Sequence, residues 1–331
     1  MSFRDRVTLR DTMKGIVEEP LLPLVPKRFD YVGDIAVISI PKELEAYRDS
    51  IVSKILSMRG NTRAILNKVS KLEGEHRVAQ FELISGESAE TLHRENGCTY
   101  RMDVRKVFFN PRLFWERARV ASKVLPGESV LIPFAGVGPF VLPSARKGAV
   151  VFAIEINPDA CACLKENVRL NRLERQVTVI QGDAESILRN PGSLNPDIKP
   201  GNVVEIETGN VVEIETGNAV ETESAVETES AVFPSVIADS ESGKIKGFRV
   251  SENGFDRAIV PTPYGRDHFL CEVSGLVRKG GNIHFYTFKK DSQIPGLIEE
   301  YGKIGFEVEY YRRCGNVAPG VSRWVFDLLK K

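Results

Sequence analysis

The sequence has little that could build a covalent or metal framework. Its five cysteines, at 98, 161, 163, 271 and 314, are odd in number and none stands in Cys-x-x-Cys spacing. A disulfide scaffold and a zinc cluster, which needs about four gathered ligands, are both excluded. The four histidines (76, 93, 268 and 284) are scattered, so no metal site is expected. Reduced thiols and a cytoplasmic location are the expectation. No apolar run approaches the ~18 residues that span a bilayer, so no membrane association is expected. The N-terminus MSFRDRVTLRDTMKG lacks the apolar core of a signal peptide. Net charge is missing as well, with 45 Lys and Arg against 45 Asp and Glu. What is present, 42% apolar and 27% charged residues, describes a globular protein of roughly two domains at ~150 residues each.

The zero charge is an average. Residues 201–230 repeat GNVVEIET twice and then decay, and hold eight Glu with no Asp, Lys or Arg. The rest of the chain therefore carries 45 basic and 37 acidic residues, a surplus of eight positive charges suited to nucleic-acid phosphates. The Val-Glu-Ile-Glu alternation has a strand period, but uncompensated carboxylates favour a solvated loop. A disordered acidic insertion is expected over about 190–252.

Around it, the pattern is ordered. A strand over 28–41 with a turn at Gly33-Asp34, a helix over 42–58 and alternating stretches at 77–83 and 99–104 predict a small α+β domain over 1–105. A helix over 111–124 leads into alternating strands and helices. Strands are expected at 129–132, 150–154, 177–180, 257–260 and 281–287, with helices at 140–147, 159–171, 184–188, 267–276 and 292–304 between and after them. Strands at 308–313 and 322–328 close the chain. The fold class is α/β, a mostly parallel Rossmann-like sheet over 106–331 with a C-terminal antiparallel hairpin.

The first strand of that sheet runs into Phe134-Ala135-Gly136-Val137-Gly138-Pro139-Phe140. Such glycines let backbone approach a ligand closely. Glu155, at the end of the second strand, is placed to accept from ribose hydroxyls. Asp183, at the end of the third, can accept an adenine amino group, as in class I S-adenosylmethionine sites. The pattern points to a nucleoside-containing cofactor; the plainer reading is a structural turn flanked by surface acids.

These stretches, taken together, resemble one family, the tRNA (guanine-37-N1)-methyltransferases of archaeal and eukaryotic type. The resemblance rests on His93-Arg94-Glu95-Asn96-Gly97, Asn110-Pro111-Arg112-Leu113 with Glu116-Arg117, the 134–140 turn, Glu155-Ile156-Asn157-Pro158, Lys165-Glu166-Asn167-Val168 with Leu170-Asn171, and Ala318-Pro319-Gly320. It covers nearly all the chain outside the insertion. It implies a class I methyltransferase fold, S-adenosyl-L-methionine as cofactor, the anticodon loop of tRNA as partner, and a monomer.

The family's general base falls on Glu116, whose plainer reading is a helical Glu paired with Arg112 or Arg119. Arg77 is the matching candidate for the contact to guanine O6. Phe134, Gly136, Gly138, Pro139, Phe140, Glu155, Asn157, Asp183 and Pro263 are expected at the cofactor. Phe108, Arg112, Arg117 and Tyr264 are expected at the RNA. Of Phe108, Phe109 and Trp115, Phe108 matches the family's aromatic near the substrate; core packing is the plainer reading for all three. Lys289, Lys290, Arg312 and Arg313 are candidate phosphate contacts or solvated surface. His93 is read as a structural hydrogen-bond residue.

Three features depart from the family. An acid that ends the first strand is replaced by Ile132, followed by Pro133. The Asn of the family's Asn-x-Pro after the fourth strand is replaced by Pro261. Only a short segment precedes the strand at 28–41, where relatives often carry an elbow-binding domain. Two alternatives follow: a paralogue that binds without efficient turnover, and a transferase of the cofactor's aminocarboxypropyl group, as in the wyosine pathway.

Overall fold

The computed structural model describes residues 7–70, 79–189 and 254–331, together with four short strand backbones between 203 and 249. The chain divides into two compact units, Met1–Phe114 and Trp115–Lys331. The division falls nine residues after the expected boundary at 105.

The first unit holds a four-stranded sheet in the order β1 (Asp30–Val32), β2 (Ile35–Ile38), β3 (Ala64–Lys68), β4 (Phe81–Ser85). The stretch over 28–41, expected as a strand with a turn at Gly33-Asp34, is two strands folded into a hairpin at those residues. Helix α2 (Arg48–Met58), entered through a 3-10 turn over Lys42–Tyr47, connects β2 to its parallel neighbour β3. Ile51 and Ile55, four apart on α2, join Ala36, Ile38 and Ile65 of the sheet in one core. The short helix α1 (Leu9–Thr12), closed by a capping box between Thr8 and Asp11, adds Leu9 to it.

A second hairpin, β5 (Glu90–Glu95) with β6 (Cys98–Asp103), turns on Asn96 and Gly97. Both have positive φ, 48° and 74°, as a two-residue primed turn requires. The HRENG stretch is therefore hairpin chemistry. His93 Nδ1 accepts from Gly33 N at 3.0 Å, which leaves its proton on Nε2, facing Glu95 at 3.1 Å. His93 thus ties the two hairpins together.

The second unit is built on one large sheet. Helix α3 (Phe114–Ala121) follows a 3-10 turn at Pro111–Leu113. The strands run β9 (Val177–Gln181), β8 (Val150–Glu155), β7 (Ser129–Pro133), β14 (Phe255–Val260), β15 (Val277–Lys289), β17 (Val321–Lys330), β16 (Phe306–Ala318). The first five are parallel, and β17 is antiparallel to both its neighbours. The parallel strands are near-continuous apolar runs because helices cover both faces. Those helices include α4 (Val141–Ala145), α5 (Pro158–Leu170), α6 (Ala184–Arg189), α7 (Phe269–Ser274) and α8 (Ile294–Lys303). The order reverses between β7 and β14, and a crevice opens at such a point beyond the strands' C-terminal ends.

Most of 190–252 lies outside the described residues. Four strand backbones within it are described. β10 (Val203–Glu207) pairs parallel with β9 and antiparallel with β11 (Asn210–Val212), and β12 (Ser235–Ala238) pairs with β13 (Ile245–Arg249). At 203–207 and 210–212 the expected loop is thus corrected to strand. The alternating β-branched period matches a ladder that the edge of β9 offers. Among the described residues no helix is long and apolar enough to cross a membrane.

Gly33 is a sharp test of how the first unit closes. A Cβ there would lie 2.0 Å from Thr91 Oγ1 and 2.7 Å from Leu92 O, at a φ of 59°. Gly33→Ala should cost about 2 kcal/mol or more in urea unfolding, by strain and collision together. An unchanged midpoint would show that the hairpins do not meet there.

Candidate functional site

The glycine turn leaves β7 at the switch point. Phe134, with φ 56°, and Gly136, with φ 55°, reverse the chain immediately after Pro133. Glu155 at the end of β8 holds the turn. Its Oε2 accepts from Gly136 N at 2.7 Å and its Oε1 from Asn157 N at 2.9 Å. Asn157 caps α5 through Oδ1, with Pro158 in the first turn. Asn167, fully buried on α5, donates to Val137 O at 3.1 Å and pins the turn from the other side. Gly138 has φ 92°, and a Cβ there would meet Leu164 Cδ1 at 2.5 Å. Asp183 caps α6, accepting from Ser186 N and Oγ. The expected cofactor residues other than Pro263, which follows β14, are thus brought to the ends of β7, β8 and β9. Ile132 is buried without exposure in β7, so no carboxylate stands at that strand end.

These residues fit S-adenosyl-L-methionine in its nucleoside half. A carboxylate oxygen has two lone pairs, so Glu155 can hold the turn and accept from ribose hydroxyls together. Asp183 would face the adenine side. Phe134 packs against Phe269 in a tilted pair with ring centroids 4.7 Å apart.

A second cluster lies in the same unit and is buried. Glu116, on α3, is 2% exposed. Arg119, one turn on, grips it through Nη2 to Oε1 at 2.7 Å and Nε to Oε2 at 3.0 Å. Of the two partners open from spacing, Arg119 is therefore the one; Arg112 pairs with Asp30 at 2.7 Å. The Tyr286 hydroxyl donates to Glu116 Oε1 at 2.8 Å. Arg119 also spans Asp327 of β17, through Nη1 at 2.6 Å and Nη2 at 3.1 Å. Lys123 Nζ reaches the same carboxylate at 2.7 Å and His284 Nδ1 at 2.6 Å. His284 Nε2 faces Arg257 Nη1 at 2.8 Å, and Arg257 clamps Glu128 with two bonds of 2.9 Å.

The protonation states follow from these partners. Burial pushes the Asp327 carboxyl upward, but donation from His284, Arg119 and Lys123 prevails and holds it far below the usual range. Burial drives the His284 pKa below its ordinary value against the pull of Asp327, and Arg257 adds to the shift. Its ring is neutral, with the proton on Nδ1 and Nε2 accepting from Arg257. Burial, and then the charge of Glu116, raise the Tyr286 hydroxyl well above its usual pKa and push the Cys314 thiol up to about 12.

The two clusters meet through aromatic packing. Phe140, which ends the glycine turn, lies 5.5 Å from the Tyr286 ring, and Tyr286 is the residue that donates to Glu116. Sequence reading missed Tyr286, Asp327, His284 and Arg257. The available signal was polar residues inside otherwise apolar strands, as in IHFYTF, WVFDLL and FDRAIV.

Other expected residues are placed differently. Arg117 is 1% exposed, which corrects its assignment to the RNA: a guanidinium in the interior presents no donors to a phosphate. Trp115 is 76% exposed, against the expectation of core packing. In the first unit, Phe108 is exposed and lines a cavity of about 390 Å³ with Phe29, Phe81, Lys68 and Arg112. Phe109 packs on His93 at 4.8 Å. Tyr264 is exposed beside Phe288, at 5.4 Å, and Pro263 accepts from Arg266 N. Arg77 lies outside the described residues.

A parallel sheet reversed at β7 and β14, an antiparallel pair at one edge, and a glycine turn braced by an acid define a class I S-adenosylmethionine-dependent methyltransferase fold. Residues 91–195 match the TRM5/TYW2 methyltransferase domain, and residues 9–89 match the TYW2 N-terminal domain. A tRNA (guanine(37)-N(1))/4-demethylwyosine(37)-methyltransferase, Taw22 of Nanoarchaeum equitans, is 32% identical over 289 residues, covering 86% of this chain and 92% of that protein. The chain belongs to the TRM5/TYW2 methyltransferase family. The tRNA (guanine(37)-N(1))-methyltransferase Trm5b of Pyrococcus abyssi is 44% identical over 172 residues, 52% of this chain and about half (52%) of that protein. A solved complex of aTrm5 with tRNALeu aligns with a TM-score of 0.72 at 25% identity, over 98% of this chain and 78% of that one.

The buried histidine makes a pH prediction. His284 stays neutral in the folded protein but protonates near pH 6.5 when unfolded, so stability falls as pH drops below about 6.5, by up to about 1.4 kcal/mol per pH unit for one proton. The Asp327 contribution is present above about pH 4 and is lost only below it, where the unfolded carboxyl takes up its proton. Urea unfolding of His284→Gln across pH 4–8 should show a lower plateau and a flatter slope between about pH 6.5 and 4 than the wild type. Parallel slopes would remove His284 as the titrating group.

Proposed function

We propose that this chain transfers a methyl group from S-adenosyl-L-methionine to N1 of guanosine 37, in the anticodon loop of tRNA, acting as a cytoplasmic monomer. The observation that carries the reading is the sequence of contacts Phe140–Tyr286–Glu116, which links the cofactor turn directly to a buried carboxylate. Bound S-adenosyl-L-methionine supplies an electrophilic methyl group on a positively charged sulfur. Glu155 and Asp183 orient the nucleoside half. Glu116 takes the proton that guanine N1 carries near neutral pH, as N1 becomes the nucleophile. Arg119 and Tyr286 hold that carboxylate in one rotamer, and Asp327 holds Arg119. Arg77 remains the candidate for O6.

Methyl incorporation from labelled S-adenosylmethionine into an unmodified transcript tests the reading. Glu116→Gln should lower the single-turnover rate by about 10²–10⁴ while tRNA affinity holds. Full activity in that variant would remove Glu116 from the role.

One further reading has its own support. The match of residues 9–89 to the TYW2 N-terminal domain keeps aminocarboxypropyl transfer with the same cofactor as the second reading. Mass analysis of the product nucleoside separates the two, and also detects methylation of a wyosine precursor.

For the RNA, the first unit offers a basic groove of about 560 Å³ with Arg59, Arg63, Arg94 and Arg101 on its walls. Arg63 pairs with Asp34 at 2.9 Å and Arg101 with Glu90 at 3.3 Å, while Arg59 lies over the Tyr31 ring at 4.5 Å. Arg94→Ala should weaken tRNA binding for all sequences alike and reduce the slope of log affinity on log salt by about 0.7–0.9. An unchanged slope would place the phosphates elsewhere.

A further inference from the structure

The Glu116 carboxylate has four lone pairs, and three are filled among the described residues. Oε1 accepts from the Tyr286 hydroxyl at 2.8 Å and from Arg119 Nη2 at 2.7 Å, and Oε2 accepts from Arg119 Nε at 3.0 Å. Arg119 cannot turn aside, because its Nη1 and Nη2 are also bound to buried Asp327. Tyr286 is enclosed in the sheet. The one acceptor position left is on Oε2. Beside it stands Arg312, its Nε 3.7 Å away: close enough for an ion pair, too far for a hydrogen bond.

Arg312 differs from the other cation on this carboxylate. Its side chain is 42% exposed, against 17% for Arg119. It sits on β16, the edge strand, just past a bulge between Val308 and Tyr310. Bulges re-aim side chains near active sites, and here the residues after the bulge, Tyr310 and Arg312, meet Arg119 and Glu116.

We propose that Oε2 is the atom that receives the N1 proton of the target guanine, and that Arg312 exchanges its ion pair with Glu116 for O6 of that base. The proposal rests on the methyl-transfer reading above and assigns it a proton acceptor and a second substrate contact. N1 and O6 are carried on bonded neighbours of one ring edge, so a base donating N1–H to Oε2 lays O6 beside the cation that flanks Oε2. The N1–H bond breaks, an O–H bond forms on Oε2, and the electron pair stays on the guanine, shared between N1 and O6, until the N1–CH3 bond forms as the S–CH3 bond of the sulfonium donor breaks and the donor leaves as a neutral thioether. Glu116 loses its charge as O6 gains one, so Arg312 keeps a negative partner throughout. O6 has two lone pairs, and a contact from Arg77 is compatible.

The test is a double cycle of Arg312→Met against tRNA carrying 6-thioguanosine at position 37, whose sulfur is the poorer acceptor. Arg312→Met should lower the single-turnover rate by about 100-fold, as loss of a donor to a developing oxyanion does, and Arg312→Lys should recover part of it. Sulfur should slow the wild type and cost the Met variant little further. Independent, multiplying penalties would overturn the O6 contact. The same cycle read as equilibrium binding, without methyl donor, needs no turnover; equal discrimination between the two tRNAs by wild type and Arg312→Met would overturn it too. A wild type that binds but leaves guanosine 37 unmethylated removes the reading beneath and the proton step with it, while the binding cycle still decides the contact. An unchanged thermal midpoint in Arg312→Met assigns any loss to the site.

Discussion

One guanidinium holds the second unit's buried charges in place. Arg119 gives two N–H bonds to Glu116 and two to Asp327, in a region where neither carboxylate has more than a trace of exposure. Bringing such charges out of water costs several kcal/mol per ion, and the cost is offset only by near-complete hydrogen bonding. That constraint accounts for the surrounding residues. Lys123 and His284 fill the remaining acceptors of Asp327. Arg257 fills the free nitrogen of His284, and Glu128 neutralises Arg257. Each neighbour satisfies a group that the previous one leaves open, from α3 across β17 and β15 to β14.

The network is also what gives a carboxylate a fixed direction. A surface Glu samples many rotamers; this one is held by two donors that are themselves held. The sheet topology places the glycine turn at the switch between β7 and β14, and Tyr286 on the neighbouring β15 passes the position of that turn to Glu116 through the Phe140 ring. The glycine turn and the Glu116 carboxylate are thus coupled through one side chain of the sheet. A proton acceptor placed to better than about 0.5 Å needs support of this kind.

Much of this was legible in the sequence, and the rest was hidden for specific reasons. The parallel strands β7, β8, β9, β14 and β15 are apolar runs separated by helical periods, and the C-terminal pair is two alternating stretches around Ala318-Pro319-Gly320; period alone exposes them. β3 was missed because Ala64–Lys68 is short and ends in polar residues. Asn67 is buried there only because its side chain accepts from Ile40 N, a tertiary bond with no local signature. Glu116 was visible as a motif, and Arg119 as its helical neighbour. Asp327 and His284 were not, since their partners lie some 40 to 200 residues away. Arg117 misled because a charged residue is read as exposed unless a partner is known. The strands at 203–207 and 210–212 misled because charge was weighed above alternation.

The same network bears on the two departures, Ile132 and Pro261. Neither residue contributes to the bonds around Glu116, which come from α3, β15, β16 and β17. The changes therefore fall where a cofactor's charged end and a loop after β14 would lie, and leave the buried charge cluster whole. A chain released from turnover has no need of interior charges, because replacing a buried ion-pair cluster by apolar side chains of similar volume is often neutral or stabilising by about 1–4 kcal/mol. Loss of one member is the costly event, so decay would proceed by dismantling the set. Here every member is present and paired. Retention of an expensive network with every member present beside the glycine turn fits the proposed transferase better than a binding protein that has lost its chemistry.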